Sequence, residues 1–119
     1  MKENCNKMIL EVLGTRPIAF NPMLAKISGN ATSGLFMSQL LYWWGKGNKE
    51  GWIYKTIKEF QDETCLIRSE QDSAIRNWRK LGVLTLKHME DPQTKRIVRH
   101  FKVNIESLIK LLRADNGRC

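Results

Sequence analysis

Polar and basic side chains recur at helical spacing between residues 68 and 80, and they include the residue types that proteins use to contact polyanions. Arg68 and Arg76 each carry a guanidinium group, which can donate two parallel hydrogen bonds to a guanine or to a phosphate. The neighbouring candidates for contacts with base edges or with the sugar-phosphate backbone are Ser69, Asp72, Ser73, Asn77 and Lys80. Among these, Asp72 can accept a hydrogen bond from a cytosine amino group. The pattern predicts a DNA-contacting face on one helix.

Two further groups of residues extend this prediction. A helix that begins at Thr56 has unpaired amides and the positive end of its dipole at that point, which suits one phosphate, and Lys55 adds charge there. The second group lies in a predicted β-hairpin, where it can reach the adjacent backbone or the minor groove. It comprises Lys95 and Arg96 at the tip, with Lys87 and Arg99 behind them.

Other features of the same segments favour a structural role. Basic residues on an exposed helix face are most often only solvated, and Arg76 can pair with Asp72 one turn earlier. In this structural interpretation, Ser69 is a helix-capping residue and does not contact DNA. Glu70 and Asp72 place negative charge on the face that would approach phosphates, and Glu90 and Asp91 dilute the basic residues of the hairpin.

Catalytic chemistry is not indicated by the sequence. His88 and His100 fall on the two strands of the hairpin, where histidines are usually structural or exposed. No serine, histidine and aspartate stand in the order of a nucleophile elbow, and no residues have the spacing of a metal site. We therefore expect a protein that is not an enzyme and that needs no cofactor or metal.

The elements that position these residues lie between Gly51 and Leu84. Residues 52–54 are aromatic and β-branched, which favours a strand. Thr56 and Glu59 match a capping box, which predicts a helix of about two turns ending near Thr64. Residues 65–67 can form a tight turn before the helix 68–80, whose apolar residues are Ala74, Ile75, Trp78 and Leu81. Gly82 can end that helix in a left-handed conformation.

The hairpin and a final helix follow. Strands are predicted over 83–89 and 96–103, because Asp91 and Pro92 supply turn chemistry between them. Asn104 is a helix cap, and the helix after it has one apolar face, formed by Ile105, Leu108, Ile109 and Leu112. Residues 115–119 are expected to fray.

Shorter elements precede the loop 45–51, which we interpret as a flexible connection without the spacing of a phosphate loop. Residues 7–13 form an apolar segment that helix and strand fit equally well, ending at Gly14. Residues 16–20 are expected to be extended, because Pro17 restricts the residue before it. Asn21 and Pro22 begin a short helix over 23–27 that ends near Gly29.

A stronger helix is predicted from about Ala31 to Gly45. Its apolar residues cover much of its circumference, which is typical of a central core helix. Tyr42 and Trp43 extend the apolar surface beyond a single stripe. These aromatic side chains either fill the core or meet a second subunit, and the core is the commoner outcome for aromatic residues at helical spacing.

Size and composition set the limits of these predictions. A chain of 119 residues with 42% hydrophobic and 27% charged residues can form one folded domain. We expect its core at about 16–104, an N-terminal extension over 1–15 and a C-terminal helix and tail over 105–119. The net charge of +8 favours an anionic partner, with nucleic acid ahead of a membrane surface.

The cellular location follows from weaker signals. Three widely separated cysteines argue against a disulfide framework or a zinc site and for a reducing cytoplasm. No signal-peptide core or membrane-spanning stretch is evident, so we expect a soluble cytoplasmic protein.

The predicted order of helix, strand, helix, helix and hairpin is that of a winged helix, an α+β fold that is mainly helical with a small β-hairpin. In that fold the second helix of a helix-turn-helix can enter the DNA major groove. The expected partner is therefore DNA, most simply double-stranded, and a homodimer would bind a palindromic site.

Several segments also resemble the winged-helix domain of DnaD-like and phage replication-initiation (replisome organiser) proteins. They are PIAFNP at 17–22, LLYWW at 40–44, GWIYKT at 51–56, Leu66 and the run from Ala74 to Leu84. The resemblance covers about residues 16–104, and its aromatic part is the more specific. It implies a DNA-binding domain used in replication initiation, often through self-association and with contacts to other initiation proteins.

By the family pattern, contacts of the recognition helix map to Arg68, Ser69, Asp72, Ser73 and Arg76. The chain departs from the pattern at Ile67, where a capping serine or threonine is usual, and at the acidic Glu70 and Asp72. By this resemblance we expect the chain to be one domain of a longer product or a small stand-alone version. Two alternatives stay open: a transcriptional regulator of the same fold, and a protein-interaction module that does not bind DNA.

Overall fold

The computed structural model describes residues 8, 11–13, 18–46 and 51–116. These residues form an α+β fold, as predicted, in which helices pack against a three-stranded antiparallel sheet. Residues 8 and 11–13 are helical, which decides between the two alternatives for that part of the segment 7–13. The other elements, in chain order, are α1 (Pro22–Ser28), α2 (Ala31–Trp44), β1 (Trp52–Tyr54), α3 (Ile57–Thr64), α4 (Arg68–Lys80), β2 (Leu84–Glu90), β3 (Ile97–Val103) and α5 (Ile105–Asn116).

Helices α1 and α2 begin at asparagine caps. The Asn21 side chain accepts a hydrogen bond from the amide of Met23 at 2.9 Å, and Pro22 occupies the first helical position, where no amide donor is needed. Gly29 ends α1 in a left-handed conformation with φ of 93°. Asn30 then caps α2 through the amide of Ser33 at 2.8 Å. Of the segment 16–20, which is predicted to be extended, residues 18–20 lie in no helix or strand, and residues 16 and 17 lie outside the described part.

The crossing of α1 and α2 depends on the absence of a side chain at Gly34. A Cβ atom built there would lie 2.6 Å from the backbone nitrogen and Cα of Ala25. These are backbone atoms, so the two helices would have to separate to admit even a methyl group.

We therefore expect Gly34→Ala to lower the free energy of unfolding by about 1–3 kcal/mol, the usual cost of overpacking a core. Urea unfolding followed by circular dichroism measures this loss. The matched control is Gly45→Ala at the end of α2, where φ is −74° and no atom lies within 4 Å of the added carbon. If both variants had wild-type stability, the close contact of α1 and α2 would be wrong.

Helices α3 and α4 are joined by the tight turn that the sequence predicts at 65–67. Thr56 and Glu59 form the expected capping box, with both hydrogen bonds between 3.0 and 3.1 Å. Cys65 ends α3 in a left-handed conformation with φ of 66°, which is uncommon for a residue other than glycine. At the start of α4 the side chain of Ile67 cannot cap, and the Glu70 carboxylate accepts from the Ile67 amide at 3.1 Å instead.

The sheet has the strand order β1-β3-β2, and both pairs are antiparallel. Strand β1 was predicted, but its pairing with β3 was not, since these strands lie more than forty residues apart in the chain. Because side chains alternate between the faces of a strand, the sheet has two distinct surfaces. The inner face, which packs towards the helices, carries Leu84, Leu86, His88, Ile97, Arg99, Phe101 and Val103, and the outer face carries Trp52, Tyr54, Thr85, Lys87, Met89, His100 and Lys102.

The core lies between α2, α3, α4 and the inner face. Phe36 stacks on Phe60 with ring centroids 4.5 Å apart, and Phe101 meets Phe36 edge-on at 5.7 Å. Trp78 from α4 is fully buried, and its indole Nε1 donates to the carbonyl of Ser33 at 2.8 Å. Helix α2 is therefore central, as its apolar circumference predicts.

The C-terminal helix is longer than predicted. Asn104 caps it by accepting from the Ser107 amide at 3.2 Å, and Leu108 is buried in the core. The helix continues to Asn116, two residues into the segment 115–119 that was expected to fray, and residues 117–119 lie outside the described part. Within the described ranges, no helix combines the length and apolar character needed to cross a bilayer.

Candidate nucleic-acid interface

One face of α4 is turned away from the core. The buried face of the helix consists of Gln71, Ala74, Ile75 and Trp78. Ser69, Ser73, Arg76 and Lys80 follow one another at intervals of four, three and four residues, which places them on the opposite face. Arg76 and Lys80 are exposed, whereas Ser73 is half-buried. The structure thus brings four of the predicted contact residues onto one surface.

Asp72 pairs with Arg68 and not with Arg76. The Arg68 Nε and Asp72 Oδ2 atoms are 3.9 Å apart, and both side chains are largely exposed. Such a surface ion pair contributes about 0–1 kcal/mol, so it does not hold Arg68 in place. Within the described part of the chain, Arg76 has no carboxylate at ion-pair distance. The alternative in which Arg76 is neutralised by Asp72 is therefore wrong.

Asn77, predicted as a DNA contact, is half-buried and engaged with a neighbouring helix. Its side-chain amide donates to the Ser33 hydroxyl at 2.9 Å, which ties α4 to α2. Arg79, which sequence reasoning missed, is exposed instead. It stands seven residues after Asp72 and eleven after Arg68, a spacing that already placed it beside those residues on the helix surface.

Lys55 is also an internal residue. Its ammonium group pairs with the Glu63 carboxylate and lies 3.8 Å from the centre of the Trp43 ring. Only 9% of the residue is exposed. The added charge predicted at the start of α3 is thus neutralised inside the fold. The sequence gives little indication that Lys55 is buried, because it follows an exposed tyrosine and its partner Glu63 lies eight residues further along the chain.

Glu63 is the centre of a polar cluster with Lys55, Gln39 and Trp43. One carboxylate oxygen accepts from the Gln39 amide and from the Trp43 indole, each at 2.8 Å. Burial raises the pKa of Glu63, but the hydrogen bonds from Lys55, Gln39 and Trp43 outweigh it and lower the pKa below its ordinary value. Trp43 therefore belongs to the interior, while Tyr42 and Trp44 are 44% and 45% exposed.

The start of α3 already carries a negative group. The Thr56 hydroxyl accepts from the Glu59 amide, and the Glu59 carboxylate accepts from the Thr56 amide. This carboxylate places a negative charge at the helix end where a phosphate was predicted to bind. Lys58, the second residue of α3, is the exposed cation nearest to this end in sequence.

Lys87 and Arg99 lie on opposite faces of the hairpin. Lys87 is on the outer face, with its ammonium nitrogen 5.3 Å from the centre of the Trp52 ring. Arg99 is on the inner face and only 7% exposed. It is therefore not available for the contact with a DNA backbone that the sequence predicts. Burial is the main cause that lowers the pKa of Arg99 to about 10; Asp72 opposes this effect, and Arg68 adds a smaller lowering contribution. Arg99 remains a cation at neutral pH.

The tip of the hairpin is organised by Asp91. Its carboxylate accepts hydrogen bonds from the Gln93 amide, the Thr94 hydroxyl and the Tyr54 hydroxyl, at 2.8 to 3.2 Å. The bonds from Thr94 and Gln93 lower the pKa of Asp91, and Asp91 in turn raises the pKa of Tyr54. Lys95 and Arg96 are exposed at this tip, as predicted.

A cavity of about 450 Å³ lies between α4 and the hairpin. Helix α4 contributes Arg68, Asp72, Ile75 and Arg76, the inner face of the sheet contributes Leu86, His88, Ile97 and Arg99, and Ile57 completes the lining. His100 lies on the outer face, with its ring 5.3 Å from that of Tyr54, so the two histidines of the hairpin do not form a pair.

No protein-family model, curated protein or solved structure matches this chain.

Proposed function

We propose that this protein is a non-enzymatic, DNA-binding winged-helix protein. In this proposal α3 and α4 form the helix-turn-helix, α4 enters the major groove, and the β2–β3 hairpin is the wing. The observation that carries it is the outward face of α4, where Arg76 and Lys80 are exposed and Arg76 lacks an ion-pair partner among the described residues. Ser69 and Ser73 supply short hydrogen-bonding groups on the same face, nearer the start of α4.

Electrostatics support a contact with phosphates. Three further cations are exposed: Arg79 on α4, and Lys95 and Arg96 at the hairpin tip. The whole chain has a net charge of +8. Lys55 and Arg99 do not contribute, because both are buried. About four phosphate contacts by the remaining cations would give a log–log salt dependence with a slope near −3.6.

The biological role is proposed from the resemblance of the aromatic segments to replication-initiation proteins. It places the protein in phage- or plasmid-type replication initiation, as a homodimer or together with other initiation proteins. A transcriptional regulator of the same fold is the alternative within this class, because the same α4 face would serve both roles.

The α4 face is tested by the double variant Arg76→Ala, Lys80→Ala. We expect weaker binding to duplex DNA and a salt slope that is smaller by about 1.8, since two phosphate contacts are lost. Fluorescence anisotropy with labelled random duplex and single-stranded DNA, at several salt concentrations, measures both quantities. The double variant should keep the melting temperature of the wild type.

The matched control is Lys110→Ala, Arg113→Ala, which removes the same charge from exposed positions of α5. This control should keep most of the affinity. An equal loss in both variants would mean that net charge alone, without the α4 face, drives binding. A folded wild-type protein that binds no DNA even at low salt would overturn the proposal.

A second candidate function is a protein-interaction module built on α2. Tyr42 and Trp44 are each nearly half exposed near the end of this helix, where aromatic side chains suit a protein partner. Binding through such an apolar contact responds little to salt, so the same titrations separate the two functions.

A further inference from the structure

Arg99 is a buried cation with two unused donor groups. Although only 7% of the residue is exposed, its Nε and Nη1 atoms have no hydrogen-bond partner among the described residues. The side-chain hydrogen bond of Arg99 within that part of the chain is to Gln71, whose Oε1 atom accepts from Nη2 at 2.7 Å. Buried polar groups are nearly always hydrogen-bonded, and buried charges are nearly always paired. Both nitrogens are covered by neighbouring atoms, so an anion would satisfy the donors and the charge after a small movement of the Arg99 side chain.

The guanidinium group is held in place before any ligand arrives. Gln71 is fully buried, and its amide nitrogen donates to the carbonyls of Ile57 at 3.1 Å and Leu66 at 2.8 Å. These bonds fix the amide so that its oxygen faces Arg99. From the other side, the ring of Phe101 lies 5.1 Å from the guanidinium carbon. The chain thus positions Arg99 with contacts that leave two of its nitrogens free.

Arg99 lines the cavity between α4 and the hairpin, and the other lining residues define what fits there. Asp72 is the single carboxylate of the lining, and it is already paired with Arg68. The lining therefore sets three arginines against one carboxylate, which leaves the cavity with a net positive charge. Apolar side chains form the remaining wall, provided by Ile57, Ile75, Leu86 and Ile97.

We propose that this cavity binds a small organic anion, with its oxyanion against Arg99 and a compact apolar body against the isoleucine and leucine side chains. A volume of about 450 Å³ is within the usual range for small-molecule sites. The mixture of an apolar wall with a few fixed polar groups is also typical of such sites. Neither a carboxylate nor a phosphate is preferred by Arg99 alone, since a guanidinium group binds both.

This site goes beyond DNA binding but shares residues with it. Arg68 and Arg76 line the cavity and also belong to the surface proposed to contact DNA. An anion in the cavity would offset their charge, so we expect bound ligand to weaken DNA binding. The anion site itself stands on Arg99 and its cavity, and it can be measured without DNA.

The test is an NMR titration of the whole protein with benzoate, with neutral benzamide and with inorganic phosphate as comparison probes. We expect benzoate to cause saturable shifts of the Arg99 Nε–H signal and of amides in α4 and the hairpin. Benzamide should cause none, because it lacks the charge. If no anion shifted these signals in the folded protein, the site would be wrong. If inorganic phosphate bound as tightly as benzoate, the apolar part of the proposal would be wrong.

Two variants locate the site. Ile97→Glu places a carboxylate at the lining of the cavity on a residue that is 74% exposed, so the fold should tolerate it, and benzoate affinity should fall about tenfold or more through charge repulsion. Thr85→Glu adds the same charge on the outer face of the hairpin and should leave the affinity nearly unchanged. An equal effect of both variants, or none from Ile97→Glu, would overturn the proposal.

Discussion

Replacing Trp78 by alanine is expected to lower the free energy of unfolding by about 3–5 kcal/mol, which is the usual cost of truncating a buried tryptophan. Trp78 is fully buried between α4 and the rest of the core. The change also removes the indole donor of the Ser33 carbonyl, and the loss of this buried hydrogen bond adds to the cost. Because small domains are stable by only about 5–15 kcal/mol, this variant should lose a large part of its stability.

Denaturant unfolding followed by far-UV circular dichroism measures this loss without depending on tryptophan fluorescence. Trp78→Phe is the informative comparison, since it keeps most of the apolar volume and loses only the indole donor and part of the ring. Its cost should be clearly smaller than that of alanine. An alanine variant with nearly wild-type stability would mean that Trp78 does not anchor α4 to α2.

The second large effect is expected from Glu63→Gln. Glutamine keeps the shape of the side chain but removes the charge, so Lys55 is left as a nearly buried cation without a counter-ion. Hydrogen bonds to charged groups contribute about 1.5–3 kcal/mol each, and the partial exposure of Glu63 reduces that value, so we expect a loss of about 2 kcal/mol. Glu106→Gln on the exposed surface of α5 is the matched control and should change stability little.

The same cluster predicts a pH dependence. The pKa of Glu63 is lower in the folded protein than in the unfolded chain, so the folded state gains stability from this carboxylate above the unfolded pKa. That contribution is lost as the pH falls through the lowered folded-state pKa. Unfolding measured from neutral to acid pH should therefore show a smaller loss of stability in Glu63→Gln than in the wild type. Parallel pH profiles would contradict the assigned shift.

A double replacement separates the worth of the ion pair from the cost of breaking it. In Lys55→Met, Glu63→Gln, neither charge remains, and the glutamine oxygen can still accept from Gln39 and Trp43. Replacing a buried ion pair by apolar residues is often neutral or stabilising, whereas removing one partner is costly. The double variant should therefore be more stable than Glu63→Gln. If it were less stable, the pair itself would be a net source of stability.

Local signals in the sequence were sufficient to place most helix boundaries. Asn21, Thr56 and Asn104 cap helices in the structure because each offers a side-chain oxygen to amides within three residues. Because both partners of such an interaction lie within one short segment, the local sequence is sufficient to predict it. The turn at Gly82 is a further case, since a φ of 77° favours glycine.

Long-range contacts explain what the sequence did not reveal about the candidate site. Lys55 and Asn77 have the polarity of surface residues, and only their partners Glu63 and Ser33 show that Lys55 is buried and that Asn77 is engaged with α2. For Arg99 a signal was present, because it alternates with Phe101 and Val103 along β3 and so shares their buried face. A basic residue in that position indicates an interior role, whereas its charge alone suggests a surface contact with DNA.

The bond between Arg99 and Gln71 also has an entropic consequence. Gln71 joins α4 to the carbonyls of Ile57 and Leu66, and Arg99 joins it to β3, so one buried side chain connects the helix pair to the hairpin. The relative orientation of these elements is thereby fixed during folding. A partner that contacts both meets a preorganised surface and loses less binding free energy to the ordering of the protein.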